Sequence, residues 1–313
     1  MTDDVLQLNH VTKTFGEFKA VNDVSFTVPQ GTILGFLGPN GAGKTTIIRM
    51  ILDIFRPTSG SLAILGSSSA LPVRNRIGYL PEEKGLYKKM RAWSIIAYFA
   101  TLKGMPRKAA RTRAFELLER YGLKDFAEAK TDSLSKGMGQ KVQVLASIAH
   151  DPELVILDEP FSGLDPVNQQ VMEEIIHDMA ERNRTVIFST HVMQHAERLC
   201  RSILLMNRGR KVFDGTLREA KDLLPKLIRL DCGKDPSGLE ALEGVTHLER
   251  ISDEDVEKNA WNLHVEDGLD VQKLLQTCVD QGLEVSRFEK VEPSLHDVFV
   301  SLVGDEAKEA VFR

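Results

Sequence analysis

Gly38-Pro39-Asn40-Gly41-Ala42-Gly43-Lys44-Thr45-Thr46 decides how the rest of the chain is read. It fits G-x-x-x-x-G-K-[ST], the pattern of a phosphate-binding loop. The preceding run, Thr32–Leu37, is short and apolar, as a buried parallel strand should be. The following run, Thr46–Leu52, has the character of a helix start. In a strand–loop–helix frame the glycines let successive N–H groups turn inward around an anion, and the helix N-terminus adds partial positive charge. Lys44 can then reach β- and γ-phosphates, and the Thr45 hydroxyl can hold Mg²⁺. The expected ligand is a nucleoside triphosphate.

Downstream, Leu154-Val155-Ile156-Leu157-Asp158-Glu159 is an apolar run that ends in two acids. A buried strand delivers such groups to the ligand-binding edge of an open α/β sheet. Asp158 is the expected Mg²⁺-side carboxylate, and Glu159 can take a proton from an attacking water. Thr185–Ser189 predicts another core strand, with His191 just past its end and on the same sheet edge as Asp158. Upstream, residues 5–28 alternate as antiparallel strands, and Phe15 is either a core residue or a face for a base to stack on. Pro57-Thr58-Ser59-Gly60 predicts a turn, and from about Arg91 to Ala149 the pattern is helical. The basic stretch 107–113 is read as a solvated helix face. Near Pro225 the texture changes, and residues 226–302 alternate short β-like and helical stretches.

The chain has 313 residues, 42% hydrophobic, which is enough for about two domains. A formal net charge of −5 gives no general attraction to nucleic acid. Cys200, Cys232 and Cys278 are isolated in sequence and suggest neither a zinc site nor a disulfide framework. The acidic start is unlike a secretory leader, and no apolar run reaches the ~18–20 residues needed to cross a bilayer. The expected location is cytoplasmic, with any membrane crossing done by another chain.

Leu134-Ser135-Lys136-Gly137-Met138 lies about 90 residues after the glycine loop. It resembles the Leu-Ser-Gly-Gly-Gln signature of ATP-binding-cassette (ABC) ATPases, departing at Lys136 and Met138. Phe161–Asp165 resembles the family's D-loop, and His191 its switch histidine. Pro293-Ser294-Leu295-His296-Asp297-Val298-Phe299 is similar to the end of ATPase subunits of sodium- and drug-extruding exporters. The resemblance implies that Phe15 stacks on adenine and that Gly38, Pro39, Asn40, Gly41, Ala42, Gly43, Lys44, Thr45 and Thr46 hold the triphosphate. It implies that Ser135 and Gly137 contact the γ-phosphate bound to a second subunit and that Asp165 reports across that interface. It further implies that Glu159 polarises the water and that His191 steadies the γ-phosphate. Where the family has Gln after the strand Ile77–Pro81, this chain has Glu82, which can still ligate Mg²⁺ but adds charge beside a polyanion.

The implied fold is an α/β phosphate-loop ABC ATPase core over residues 1–225. It has a mostly parallel sheet, N-terminal antiparallel strands and a helical subdomain at about 91–149. A small α+β domain (226–302) and a tail (303–313) follow. The implied protein is an ATP-hydrolysing subunit of an exporter that dimerises on ATP and drives a separate transmembrane permease. The permease would dock near Glu82–Thr101, where Tyr87, Trp93 and Phe99 offer an apolar groove. A soluble ABC ATPase acting on nucleic acid or ribosomes is the alternative, disfavoured by one phosphate loop, no heptad run and no cysteine pairs. An ATP-dependent clamp is disfavoured by the intact Lys44, Asp158 and Glu159.

Overall fold

Two long strands open the chain in the computed structural model, which describes residues 4–82, 85, 89–251, 259–266 and 268–304. β1 (Asp4–Phe15) and β2 (Phe18–Pro29) pair antiparallel, Leu8 opposite Phe26. Their alternation sends Leu6, Leu8, Val24, Phe26 and Val28 into a core shared with β3 (Ile33–Leu37) and α1 (Lys44–Ile51). β4 (Ser59–Ile64) pairs with the other edge of β1. The turn expected at Pro57–Gly60 gives way here to strand, because Ser59 already pairs with Thr12. Gly60, at φ +88°, lies so near the His10 carbonyl that a Cβ would have no room.

The second sheet holds the ligand edge. β5 (Ile77–Leu80) is followed by three helices, α2 (Ala92–Leu102), α3 (Arg107–Arg120) and α4 (Lys136–Ile148). On α3 the buried Ala110, Ala114, Leu117 and Leu118 recur at helical spacing, and its basic residues stay on the outer side. Then come β6 (Leu154–Asp158), α5 (Pro166–Glu181), β7 (Thr185–Thr190), α6 (Met193–Leu199), β8 (Ser202–Asn207) and β9 (Arg210–Thr216). The strand order is β5-β6-β7-β3-β8-β9, parallel except for the β8–β9 hairpin. Arg208 and Gly209, both at positive φ, turn that hairpin. Asp158 sits opposite Ser189, and Leu37 opposite Thr190. The segments after β3, β5, β6 and β7 therefore leave the sheet on one side, because parallel strands bring their C-terminal ends to a common edge.

The compact units divide between Leu217 and Arg218, within α7 (Leu217–Lys221) and ahead of the change in texture near Pro225. The second unit is a four-stranded antiparallel sheet in the order β11-β12-β10-β13. Its elements are β10 (Lys226–Cys232), β11 (Val245–Arg250), β12 (Asn259–Val265), α8 (Val271–Asp280), β13 (Val285–Val291) and α9 (Leu295–Val303). Ile228, Leu230, Leu263, Leu274 and Cys278 form its own apolar core. Ser294 and Asp297 close a capping box at the start of α9. Among the described residues no helix is long and apolar enough to cross a membrane.

Candidate nucleotide site

The glycine loop forms the expected strand-to-helix turn. Gly43 is the N-cap of α1 in the left-handed region, φ 101°, and supplies no side chain to cap it. The first amides of α1 have no intrahelical acceptor and are directed at whatever lies over the loop. A Cβ at Gly43 would sit 2.6 Å from Ala20 O, so the close backbone approach admits only glycine. Above the loop is a cavity of about 320 Å³ lined by Phe18, Asn40, Lys44, Thr45, Glu82 and Glu159, among others.

Lys44 is buried. Its Nζ donates to Gly38 O at 2.6 Å and to Pro39 O at 3.2 Å, and lies 3.8 Å from Glu159 Oε1. Burial lowers the ammonium's pKa, and Glu159, Asp158 and Glu82 oppose that shift. Asp158, at the end of β6, accepts from Ser189 Oγ and, at 3.5 Å, from Thr45 Oγ1 through Oδ1. Its Oδ2 is buried with no hydrogen-bond partner. Glu159 is held at φ 50° by its amide, which donates to Ser189 O (3.2 Å) and Ser189 Oγ (3.1 Å). His191 Nδ1 lies 3.0 Å from Glu159 Oε1 and must carry the proton there, since a carboxylate only accepts.

The signature-like stretch forms the N-terminus of α4. Ser135 is its N-cap, accepting from Met138 N, which leaves the hydroxyl proton free to point outward. Gly137 is buried against α5: a Cβ there would fall 2.5 Å from Asn168 Nδ2. Asp165 caps α5, its two oxygens taking Asn168 N (2.9 Å) and Asn168 Nδ2 (2.5 Å). The first of these bonds lowers the Asp165 pKa most. Two helix N-termini thus stand side by side.

The ABC transporter family profile matches residues 21–162, and the C-terminal domain of DrrA1-3-like ATP-binding proteins matches residues 215–303. An uncharacterized ABC transporter ATP-binding protein of Bacillus subtilis, YhaQ, is 38% identical over 96% of this chain and 99% of its own. This chain belongs to the ABC transporter family. Within that family it is an ATP-binding subunit, and its activity is ATP hydrolysis coupled to transport. The bacitracin transport ATP-binding protein of Bacillus licheniformis is 32% identical over 96% of this chain and 97% of its own. A solved ATP-binding subunit of an ABC transporter superposes with a TM-score of 0.65 at 29% identity, covering 70% of this chain and 92% of that one.

In this ABC subunit the phosphate loop, Asp158, Glu159, His191 and Glu82 converge, whereas Ser135, Asp165 and the buried Gly137 sit apart from them at the α4–α5 junction. Phe15, half-exposed, packs edge-on against Phe55 at 5.6 Å. Among the described residues the aromatic ring lining the cavity is that of Phe18, its pairing partner across the β1–β2 hairpin. Sequence reading missed Phe18, and also Ser189, whose only signal is a small polar residue two positions before His191. The Thr45 hydroxyl and the Asp158 and Glu82 carboxylates are all oxygen donors. With the orphaned Asp158 Oδ2, they fit a hard divalent cation.

A second, more apolar groove of about 290 Å³ lies between β5 and the helices, lined by Tyr79, Leu80, Pro81, Phe99 and Ala146, among others. Of the aromatics expected there, Phe99 lines it. Trp93 instead stacks on Phe115 at 5.6 Å, and Tyr87 lies outside the described residues.

Proposed function

We propose that this subunit energises an exporter by closing as a homodimer around two triphosphates. In this reading the loop 38–46 holds ATP, with Lys44 leaving its carbonyl partners for the β- and γ-phosphates. Thr45, Asp158 and Glu82 would hold Mg²⁺, whose charge offsets that of the phosphate oxygens. Glu159 accepts a proton from the attacking water, and His191, already bonded to Glu159, orients the carboxylate and meets the γ-phosphate. Ser135 and Gly137 complete the site of the partner copy, with Asp165 at the same junction. Phe15 and Phe18 together offer the adenine a face. A membrane permease docks over the groove beside Phe99, an apolar cleft next to Glu82 that the helices leave open.

The observation that carries this reading is the clustering of Lys44, Glu159 and His191 over an uncapped helix N-terminus beside the unpartnered Asp158 Oδ2. The α4–α5 surface, with its free hydroxyl and paired helix N-termini, suits contact with an anion presented by another copy. Sedimentation of E159Q tests it: MgATP should double the mass and ADP should not. An E159Q protein that stays single at saturating MgATP would remove the dimer from the account. Co-purification with a membrane protein, lost on mutating Phe99 to Glu, tests the docking groove.

A further inference from the structure

Gln140 lies six residues beyond the start of the signature-like stretch, on the inner side of α4, and is buried. Its Nε2 donates to the carbonyl of Pro160, the residue after Glu159. Glu159 is otherwise fixed by its amide on Ser189, and its carbonyl accepts from Ser162 N at 3.2 Å. A glutamate at φ 50° keeps that conformation only where surrounding bonds over-determine it. One of those bonds comes from α4. The same helix presents Ser135 at its N-terminus, and Gly137 is locked against Asn168 by direct packing. The α4 N-terminus is therefore joined to the Pro160–Phe161 peptide, one residue beyond Glu159, by a buried polar link, and to α5 by a close-packed contact.

We infer that Gln140 is a positioning residue that ties the signature end of α4 to Glu159 within one subunit. The inference rests on the dimer reading above. A triphosphate held by the partner draws on Ser135 and Gly137, α4 moves as a rigid rod, and Gln140 passes that displacement to the Pro160 carbonyl. The Glu159 carboxylate then reaches its water-facing geometry only when the opposite site is filled. Gln140 touches neither nucleotide, so it acts on turnover and cooperativity, with binding left intact.

The test uses the full chain with Q140M, which keeps volume and loses the donor, and Q140E. For Q140M, turnover should fall at least about tenfold, the scale expected when a catalytic group is misplaced by a fraction of an ångström to an ångström. MgATP affinity by calorimetry should be unchanged, as should ATP-driven association of Q140M/E159Q compared with E159Q. The Hill coefficient for ATP should fall toward one. A buried carboxyl facing a carbonyl is protonated more readily than a free one, and once protonated it donates to Pro160 again. The turnover ratio of Q140E to Q140M should therefore rise as pH is lowered, and the ratio cancels titration of Glu159, His191 and Lys141, common to both. Wild-type turnover and Hill coefficient in Q140M would overturn the inference and leave the dimer reading standing. So would a turnover loss matched by equal losses of affinity and association, which would reduce Gln140 to packing. Failure of E159Q itself to associate on ATP would overturn both.

Discussion

Replacing Lys44 by Met removes the one cation among the described residues of the cavity lining and keeps most of the side-chain volume. The ammonium is buried, bonded to Gly38 O and Pro39 O, and 3.8 Å from Glu159. Its pKa is lowered chiefly by burial, so the fold gains little from holding the charge there. Waters entering the open cavity can replace it on the two carbonyls, and the unfolding free energy should change by no more than about 1 kcal/mol. Nucleotide binding should respond differently. A hydrogen bond to a charged group contributes about 1.5–3 kcal/mol, roughly one to two orders of magnitude in Kd. In the proposed reading the lysine reaches β- and γ-oxygens, so the loss should be larger for ATP than for ADP. Calorimetric titration of both nucleotides, beside denaturant unfolding of the variant, separates binding from folding. An ATP affinity equal to wild type in a folded K44M protein would refute the assignment of the loop. Equal losses for ATP and ADP would refute the contact with the γ-phosphate.

Other outcomes follow from the same geometry. E159Q should lower turnover by about 10²- to 10⁴-fold, the usual contribution of a general base, and a normal rate of phosphate release would end that role for Glu159. E82Q takes a carboxylate from beside the triphosphate, so metal-free ATP should bind about 1 kcal/mol more tightly, and half-maximal turnover should need more Mg²⁺. An unaltered Mg²⁺ titration would take Glu82 out of the metal site. His150 Nε2 donates to Ile77 O at 3.2 Å; burial, followed by the charge of Lys103, lowers its pKa to about 4. The unfolded chain takes up this proton near pH 6.5 and the folded one only near pH 4. Stability should therefore fall as pH drops through that window, by about 3 kcal/mol in all, and H150Q should flatten the decline. Identical pH slopes for the two proteins, measured by urea midpoints, would contradict the burial argument.

The sequence by itself determined the elements whose signal is local. A glycine loop between an apolar run and a helix is legible because only that residue order lets the backbone surround an anion. The pairs Lys44–Thr45 and Asp158–Glu159 carry their chemistry in adjacent positions. The signature-like stretch and the Phe161–Asp165 segment were legible by resemblance, and the full-length relatives agree with the family that resemblance implied. The start of β4 inside an apparent turn was not legible, because Gly60 serves a close approach to His10, a residue remote in sequence. Neither was the choice of Phe18 over Phe15 as the ring lining the cavity, which depends on how the β1–β2 hairpin faces the loop.

Only the tertiary structure decided what holds Glu159 in place. Ser189 on β7, His191 beyond it and Gln140 on α4 come together because parallel strands align their ends and the helices pack across them. Composition and spacing say which groups can do chemistry. Distance and burial say which of them act on one another, because hydrogen bonds and charge interactions depend on separations of a few ångströms that chain order does not encode.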